Sequence, residues 1–394
     1  MKILFWAFSG FDQHTTSEHL LTAVLVQLCR ARHTIHILQK GNGGPLPPVP
    51  QALAGYPVTT CVIPVKAAEK GNFAARYQAE LAYVHACRKH ITPGYEAVFI
   101  QSNNVAGFAV RVVRKVLPRA VVTLNVQDIF PYNAAFGGAL RKNGPAFQVL
   151  AAVQRYGYRQ ADHIITISED MQDTLVRDGT PRCKVRVIYN WSYQDALYEE
   201  KQPRPAVPLD PACFNVVYAG NIGVMQNVDL LVETARLMQE DPDVHFHIIG
   251  NGLYKKKLEA KAREYGVRNL SFWPMQPPEM APAIYSAASV NVIPLVKNVY
   301  KTALPSKTAT CLACGKPVIF AIGKESRFGQ KAAQEAGCLL VDSDRPEDLA
   351  AAIRRVRAAD FPREKAGAFF LAHCGITQNS RAYAEIITSG RRGE

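Results

Sequence analysis

The sequence has no uninterrupted run of apolar residues long enough to cross a membrane. A spanning helix needs about 18 or more such residues, and the apolar runs in this chain of 394 residues are much shorter. The run that follows Met1 is also too short for a signal peptide, so it predicts a first β-strand instead. We therefore expect a cytoplasmic protein whose contact with a membrane is peripheral.

The sequence also lacks a complete set of paired cysteines. Its nine cysteines are odd in number and scattered, mostly through apolar segments, which is typical of buried free thiols in a reducing compartment. Cys311 and Cys314 form a CxxC, but no second pair completes a zinc site. Their helical spacing favours packing in a core, and we expect neither a metal ion nor a cofactor.

Acidic residues are scarce in the first part of the chain. The formal net charge is +13, and residues 1–160 contain 17 Lys or Arg but only 6 Asp or Glu. A basic segment attracts an anionic surface or ligand; the alternative is a solvated basic face. No helix-turn-helix, zinc-finger or RNA-recognition pattern accompanies this charge, so nucleic acid is not an expected partner.

Segments with strand-like and helix-like patterns alternate along the whole chain. Short apolar runs rich in β-branched and aromatic residues are each followed by an amphipathic helical pattern. This alternation predicts an α/β fold with parallel sheets covered by helices on both faces. In the first half the predicted strands are 2–8, 35–38, 58–63, 97–101, 121–126 and 163–167.

The alternation is interrupted at residues 192–213. Four prolines and several charges fall within this stretch, as expected of a linker. Ligands of doubly wound domains bind at the carboxyl ends of the strands. We predict two Rossmann-like, doubly wound domains facing each other across a cleft: residues 1–195, a linker at 196–213, a second domain at 214–370, and a C-terminal helix at 371–394 that returns to the first domain.

Two predicted strands of the second domain end in glycine-rich loops. VVYAGNIG contains Gly220 and Asn221, and HFHIIGNG contains Gly250 and Asn251. Glycine lets backbone amides approach a phosphate or ribose closely, although turns after strands also use glycine for structural reasons. In TALPSKTATCLACGKPVIF, Lys307 lies at a predicted helix start, which indicates an anion site; a simple capping turn is the alternative.

Taken as an ordered set, several segments resemble family 4 of the retaining glycosyltransferases, which have the GT-B fold. The likeness covers roughly residues 95–360 and points to the bacterial envelope-polysaccharide branch. It implies metal-independent transfer from a UDP- or GDP-linked sugar to a saccharide acceptor, lipid-diphosphate-linked, at the inner membrane face. The segments are ADHIITISEDM, KVRVIYNWSY, VVYAGNIG, HFHIIGNG, FWPMQPPEM, LPSKTATCLACGKPVIF and AGCLLVDSDRPEDLAAAI.

The resemblance also assigns roles to individual residues. It places Gly220 and Asn221 beside the donor diphosphate, with Lys307 neutralising its charge. It implies that Asp128 orients the acceptor hydroxyl, with the capping of a loop or helix as the alternative, and that His14 touches a sugar. Further donor contacts are implied for the base (Gly250, Asn251, Met275, Gln276), the loop over the donor sugar (Pro305, Ser306) and the facing loop of the first domain (Ser9, Gly10).

Several positions depart from the family pattern. Thr302 and Thr310 occupy the places of two glutamates that usually flank the donor sugar and ribose. A hydroxyl can still bind a sugar hydroxyl, but it cannot supply the charge-assisted bonds of a carboxylate. Gln226 stands near the usual lysine of the glycine loop, and Gln127 replaces an arginine. Asn298 or Lys301 could hold the donor instead.

The basic first domain suggests a membrane-facing surface. Basic and apolar side chains alternate in its helical segments, as on interfacial surfaces that bind anionic lipid. Two other functions remain open, namely a nucleotide-sugar epimerase of the same fold and a noncatalytic nucleotide-sugar-binding partner. The surface residues are Arg111, Arg114, Lys115, Arg119, Arg141, Lys142, Arg155 and Arg159, with Phe136, Phe147, Leu150 and Tyr156.

Overall fold

The computed structural model describes residues 1–11, 16–41, 49–65, 72–199, 207–359 and 361–390. Contacts divide the chain into two compact units, Met1–Asn190 with Ile376–Glu394, and Trp191–Gly375. The N-terminal segment of the first unit therefore ends at Asn190, and not at residue 195 as predicted from the sequence. Each unit contains one parallel sheet with flanking helices, which confirms the predicted fold class.

The first unit contains a seven-stranded parallel sheet. Its strand order is β3-β2-β1-β4-β5-β6-β7, so the order reverses between β1 and β4. Strands β4, β5 and β6 are almost entirely buried, as expected for parallel strands covered on both faces. The strands are β1 (Lys2–Trp6), β2 (Thr34–Gly41), β3 (Val58–Pro64), β4 (Ala97–Gln101), β5 (Val121–Val126), β6 (His163–Thr166) and β7 (Val185–Val187).

Helices of the first unit pack closely where glycines face each other. A Cβ on Gly157 would lie 2.7 Å from the Cα of Gly107, so a larger residue at either position would separate the two helices that carry them. Gly107 lies on the third helix and Gly157 on the fifth. The helices before residue 190 are α1 (Thr16–Arg30), α2 (Phe73–Cys87), α3 (Ala106–Val116), α4 (Tyr132–Phe136), α5 (Pro145–Gln160) and α6 (Glu169–Arg177).

The second unit contains a six-stranded parallel sheet in the order β10-β9-β8-β11-β12-β13. Ala219 pairs with Ile249, and Ile249 pairs with Trp273, so the loops after three neighbouring strands leave the sheet side by side. The order reverses between β8 and β11, and such switch points are where doubly wound sheets bind ligands. The strands are β8 (Phe214–Ala219), β9 (Val244–Ile249), β10 (Leu270–Trp273), β11 (Val290–Pro294), β12 (Val318–Ala321) and β13 (Leu339–Val341).

Seven helices are described for the second unit, and its core lies between sheet and helices. Leu231, Phe246 and Ile353 are fully buried members of this core. No helix in the described part of the chain combines the length and apolarity that a bilayer-spanning segment requires. The helices are α7 (Asp229–Leu237), α8 (Lys255–Glu264), α9 (Ala281–Ala287), α10 (Lys307–Ala313), α11 (Arg327–Ala336), α12 (Pro346–Ala358) and α13 (Arg363–His373).

The last helix, α14 (Ile376–Thr388), belongs to the first unit by its contacts. It packs against α1 and β5. The hydroxyl of its buried Tyr383 donates a hydrogen bond of 3.0 Å to Asn125 Oδ1 on β5. A buried polar bond of this kind fixes the helix to one place on the sheet.

Candidate functional site

Lys307 is the first residue of α10, and its side chain lies over the carboxyl end of β8. Its Nζ is 3.7 Å from the ring centroid of Tyr218. A Cβ on Gly220 would lie only 2.6 Å from this Nζ. Gly220 also has a φ of +145°, a conformation that favours glycine. Glycine at position 220 therefore makes room for Lys307 at the switch point of the second sheet.

The ammonium group of Lys307 is shielded from water and unpaired. Although the side chain as a whole is half-buried, Nζ has no hydrogen-bond partner among the described residues. Burial lowers the pKa of Lys307 to about 8, and the nearby Cys311 thiol acts weakly in the opposite direction. Buried polar groups normally have partners, so an unpartnered ammonium at the carboxyl end of β8 indicates a ligand site.

The glycine loops after β8 and β9 lie against each other. A Cβ on Gly250 would lie 1.9 Å from the carbonyl oxygen of Gly220, and one on Gly252 would lie 2.1 Å from that of Ile222. Ile222 N donates to Asn251 O over 2.8 Å. Gly250 and Gly252 are thus required by the packing of the two loops, whereas Gly220 borders the lysine.

Gln226, which stands near the family's usual lysine, holds the first glycine loop in shape. Its Oε1 accepts hydrogen bonds from Gly223 N at 3.1 Å and from Asn221 Nδ2 at 3.2 Å. The hydroxyl of Tyr218 donates to Asn221 O. The loop is therefore fixed by neutral hydrogen bonds, and Lys307 is the cation that the structure places against Gly220.

The residues expected to border the base lie along one edge of the second sheet. Gly250 and Asn251 follow β9, while Met275 and Gln276 follow the neighbouring β10. The Met275 side chain is 51% exposed, and Gln276 Nε2 donates to Pro274 O over 3.1 Å. Because β9 and β10 are parallel and in register, these four residues leave the sheet at the same, carboxyl end. The exposed Met275 side chain can cover the planar ring of a base there.

The two threonines in place of the family glutamates both have internal partners. Thr302 is buried, and its Oγ1 donates to Val299 O over 3.1 Å. Thr310 Oγ1 lies 3.1 Å from Ser192 Oγ, which is also 3.1 Å from the hydroxyl of Tyr198. Neither hydroxyl is presented to a ligand in this arrangement, so their roles in donor binding stay predictions.

The remaining residues of this loop have local roles. Ser306 precedes α10 without making a side-chain capping bond, and Pro305 beside it is half-buried. Lys301 Nζ donates to Asn298 Oδ1 over 2.7 Å, and Asn298 has a φ of +68°. The lysine and asparagine that could hold the donor are therefore paired with each other.

In the first unit, the expected loop residues follow the carboxyl ends of β1 and β5. Ser9 and Gly10 come after β1, and the next amide, Phe11 N, donates to Gln39 Oε1 over 2.9 Å. Asp128 follows β5; desolvation by the surrounding protein raises the pKa of its carboxyl above the usual range, although water reaches the side chain. His14 lies outside the described residues.

Two polar networks of the first unit, one around Gln127 and one near β4, were not predicted from the sequence. Gln127 Nε2 donates to Asn125 Oδ1 at 2.9 Å, and its Oε1 accepts from Asn190 Nδ2 at 2.8 Å. Glu80 pairs with Lys40 and accepts a hydrogen bond of 2.6 Å from Asn103 Nδ2. The first network could have been predicted, because the polar residues Asn125 and Gln127 flank the end of a buried strand. Nothing in the sequence links residues 40, 80 and 103.

A basic-rimmed apolar pocket of about 260 Å³ lies between α2 and α3 in the first unit. Among the residues that the structure describes, its four basic side chains form no ion pair, and none of its lining residues is acidic. Its apolar lining consists of Leu81, Val84, Phe108 and Val112, and its basic lining consists of His85, Arg88, Arg111 and Lys115. This combination suits an amphiphile with an anionic group.

Other members of the expected basic surface have internal roles. Arg114 pairs with Asp162 over 2.7 Å and also donates to Ala120 O, so it stabilises the unit from within. Phe147 is buried, whereas Tyr156 is 43% exposed on α5. The surface available to a partner is therefore smaller than the one predicted from the sequence.

Several acidic residues of the second unit form salt bridges. Asp241 and Asp243, which have Asp-x-Asp spacing, pair with Arg354 and Arg357 over 2.9 and 2.6 Å. Lys297 pairs with Asp344 over 3.0 Å. Among the described residues, no group of three His, Cys, Asp or Glu side chains is placed to hold a metal ion.

Two family models match this chain. Residues 19–191 match the glycosyl transferase 4-like domain, and residues 213–358 match the glycosyl transferases group 1 model. The chain is 27% identical to the putative colanic acid biosynthesis glycosyl transferase WcaI of Escherichia coli over 250 residues, which are 61% of this chain and 60% of WcaI. It is 22% identical to the probable glycosyltransferase WbjE of Pseudomonas aeruginosa over 52% of each chain.

Solved structures with the same two-domain fold cover almost the whole chain. Anabaena Alr3699/HepE in complex with UDP and glucose has a TM-score of 0.67 at 16% identity, covering 99% of this chain and 100% of HepE. WaaG, a glycosyltransferase involved in lipopolysaccharide biosynthesis, has a TM-score of 0.66 at 14% identity, covering 98% and 100%. The fold is GT-B. The aligned segments span 60% or less of the curated relatives WcaI and WbjE.

Proposed function

Since the chain belongs to the glycosyltransferases of GT-B fold, we propose that it transfers a sugar from a nucleoside-diphosphate sugar to a saccharide acceptor in polysaccharide biosynthesis. The observation that carries this proposal is the buried, unpaired ammonium of Lys307 at the switch point of the second sheet. A cation without a counter-ion at that position has the charge that a diphosphate requires.

The donor side of the reaction follows from the second unit. When the bond between the anomeric carbon and the diphosphate breaks, negative charge develops on the departing diphosphate. Lys307 meets that charge, and the loop of Gly220 and Asn221 lies beside it. The exposed Met275 borders the base. We propose a UDP-linked donor first, because HepE was solved with UDP and UDP-glucose; a GDP-linked donor is the alternative.

The stereochemical course is part of the proposal. On the likeness to family 4, we propose that the acceptor oxygen attacks from the side that the diphosphate leaves, so that the anomeric configuration is retained. The acceptor proton passes to a diphosphate oxygen, Asp128 orients the acceptor hydroxyl, and no metal ion or further cofactor takes part. Product analysis by NMR decides retention, and activity in excess chelator decides metal independence.

The acceptor side belongs to the first unit. We propose a saccharide on a lipid diphosphate, reached at the inner, anionic face of the membrane to which the protein attaches peripherally. The support is the α2–α3 pocket, whose apolar floor and four basic side chains have the chemistry of an interfacial surface. Each Lys or Arg near an anionic leaflet contributes about 1 kcal/mol, so the Arg and Lys residues of this rim would act together with the apolar floor.

A noncatalytic nucleotide-sugar-binding role is the second candidate. It is favoured by Thr302 and Thr310, whose hydroxyls are engaged within the protein. Both candidates require nucleotide binding, and only the first requires transfer.

Calorimetry with UDP and GDP, followed by an assay with UDP-sugars and a lipid-linked acceptor, tests the proposal. Binding with acceptor-dependent release of nucleotide supports the transferase. Conversion of the donor to an epimer without acceptor would make the protein an epimerase, and binding alone would make it a binding partner. Absence of binding at millimolar nucleotide would refute the donor site itself.

A further inference from the structure

Tyr218 supplies the surface on which the Lys307 ammonium lies. Its side chain is 1% exposed near the end of β8, and the Lys307 Nζ is 3.7 Å from its ring centroid. An ammonium at this distance from an aromatic face is attracted by the electron-rich centre of the ring. The attraction is stronger where water is excluded, as it is around this Nζ.

The other titratable groups near Lys307 are neutral ones. Cys311 lies one turn further along α10, and burial holds the pKa of its thiol well above the usual range. Tyr285 on α9 donates to Ala219 O over 3.2 Å, and burial also raises the pKa of its hydroxyl. Within the described parts of the chain, no carboxylate comes within salt-bridge distance of Lys307 Nζ. The charge of Lys307 therefore lies against the Tyr218 ring and not against a counter-ion.

The two parts of the Tyr218 side chain serve different neighbours. The ring contacts Lys307, whereas the hydroxyl donates to the carbonyl of Asn221 and so holds the glycine loop. Phenylalanine at this position would keep the first contact and lose the second. This division allows the two contributions to be measured separately.

We infer that Tyr218 is a positioning residue for the donor diphosphate, because its ring holds Lys307 as an ammonium without a counter-ion until the diphosphate takes that place. The inference rests on the proposed function for the identity of the anion. It adds a linkage: when the diphosphate binds above the pH at which Lys307 loses its proton, binding takes up one proton from solution. An exposed lysine already paired with a carboxylate would show no such uptake at pH 8.5, because it already holds its proton there.

Two variants with similar side-chain volume test this role. Tyr218→Met removes the aromatic face, and Tyr218→Phe retains it. NMR of ¹³C-labelled lysines, with the Lys307 signal assigned by Lys307→Met, gives the titration midpoint of Lys307 in the protein without ligand. We expect the wild type and Tyr218→Phe to share a midpoint, and Tyr218→Met to titrate about one pH unit lower. UDP affinity at pH 8.5, above the midpoint of about 8 in the wild type, should fall about eightfold in Tyr218→Met, because fewer molecules hold the proton, and no more than about threefold in Tyr218→Phe.

Equal midpoints in the three proteins would overturn the inference, and so would equal UDP affinities in the two variants. Thermal melting checks that the variants fold, and Tyr218→Leu replaces Tyr218→Met if the latter does not. Calorimetry in two buffers of different ionisation enthalpy measures proton uptake at pH 8.5. If the wild type binds neither UDP nor inorganic pyrophosphate, the proposed function fails, while the lysine titration still decides what Tyr218 does.

Discussion

Gly220 and Lys307 are so close that a single methyl group on the glycine would lie 2.6 Å from the lysine ammonium. Gly220→Ala should therefore displace Lys307, and we expect UDP affinity to fall at least tenfold. The backbone at φ +145° adds strain of about 1–3 kcal/mol to the folded state. Calorimetry with UDP and urea unfolding measure the two effects.

Gly266→Ala is the matched control for strain without obstruction. Gly266 also has a positive φ, +61°, but nothing lies within 4 Å of the Cβ that alanine would add. Both variants should lose stability, and only Gly220→Ala should lose UDP affinity. Equal affinities in the two variants would show that the proximity of Gly220 to Lys307 has no bearing on binding.

The unpaired charge of Lys307 should favour the binding of UDP but lower the stability of the folded protein. Because burial lowers its pKa to about 8 from 10.5, the unfolded chain holds the proton more tightly than the folded protein. The contribution of Lys307 to the free energy of unfolding is therefore lowest below pH 8 and rises between pH 8 and 10.5. Lys307→Met should raise the free energy of unfolding at pH 7 by about 1–3 kcal/mol and abolish UDP binding.

The control for Lys307→Met is Lys257→Met, which removes an exposed charge of the same sign on α8. Urea unfolding at pH 7 and pH 9 should show a smaller gain of stability with pH in Lys307→Met than in Lys257→Met or the wild type. A Lys307→Met protein that is less stable at pH 7 and still binds UDP would mean that Lys307 is an ordinary structural lysine.

The fold was predictable because each parallel strand is a short apolar run and each helix has an apolar face. Strands such as Phe214–Ala219 and Val244–Ile249 carry the β-branched and aromatic residues that this pattern requires. The loop glycines were also identified from the sequence, but they are required for different structural reasons. Gly250 is needed because the carbonyl of Gly220 occupies the space of its side chain, and sequence alone does not separate this role from contact with a phosphate.

Contacts between distant residues were not predictable from the sequence. The position of Lys307 over Tyr218 joins residues 89 positions apart through a helix start and a strand end, and no local pattern encodes that distance. Thr310 and Ser192 are similarly separated by 118 positions. Family likeness identified where glutamates were missing, but only the structure shows what the replacing threonines contact.

Thr310 should act in stability rather than in donor binding. Its hydroxyl lies 3.1 Å from Ser192 Oγ in a buried pair, and a buried hydrogen bond contributes about 0.5–1.5 kcal/mol. Thr310→Val, which keeps the shape, should lower the free energy of unfolding by about 1 kcal/mol with UDP affinity unchanged.

The partner variant Ser192→Ala completes a double-mutant cycle. The double variant should lose less stability than the sum of the two single losses, because both remove the same hydrogen bond. Additive losses would show that the contact between the two hydroxyls does not stabilise the protein. A tenfold loss of UDP affinity in Thr310→Val would place Thr310 in the donor site instead.

The α2–α3 pocket should bind anionic membranes through its basic rim. Arg111 and Lys115 are exposed on successive turns of α3 and line the pocket, so replacing both by glutamate reverses the local charge. We expect this double variant to lose cosedimentation with vesicles that contain phosphatidylglycerol, which the wild type should show at low salt. Binding should weaken as salt is added, because the attraction is screened over about 10 Å at 0.1 M ionic strength.

The matched control makes the same charge change on the second unit, by replacing the exposed Lys256 and Lys257 of α8 with glutamate. If the pocket is the membrane contact, this control should cosediment like the wild type even though its net charge equals that of the first variant. Equal losses in the two variants would indicate attraction by total charge alone. Equal binding of the wild type to neutral and anionic vesicles would contradict an electrostatic contact, since neutral lipid offers the basic rim no opposite charge.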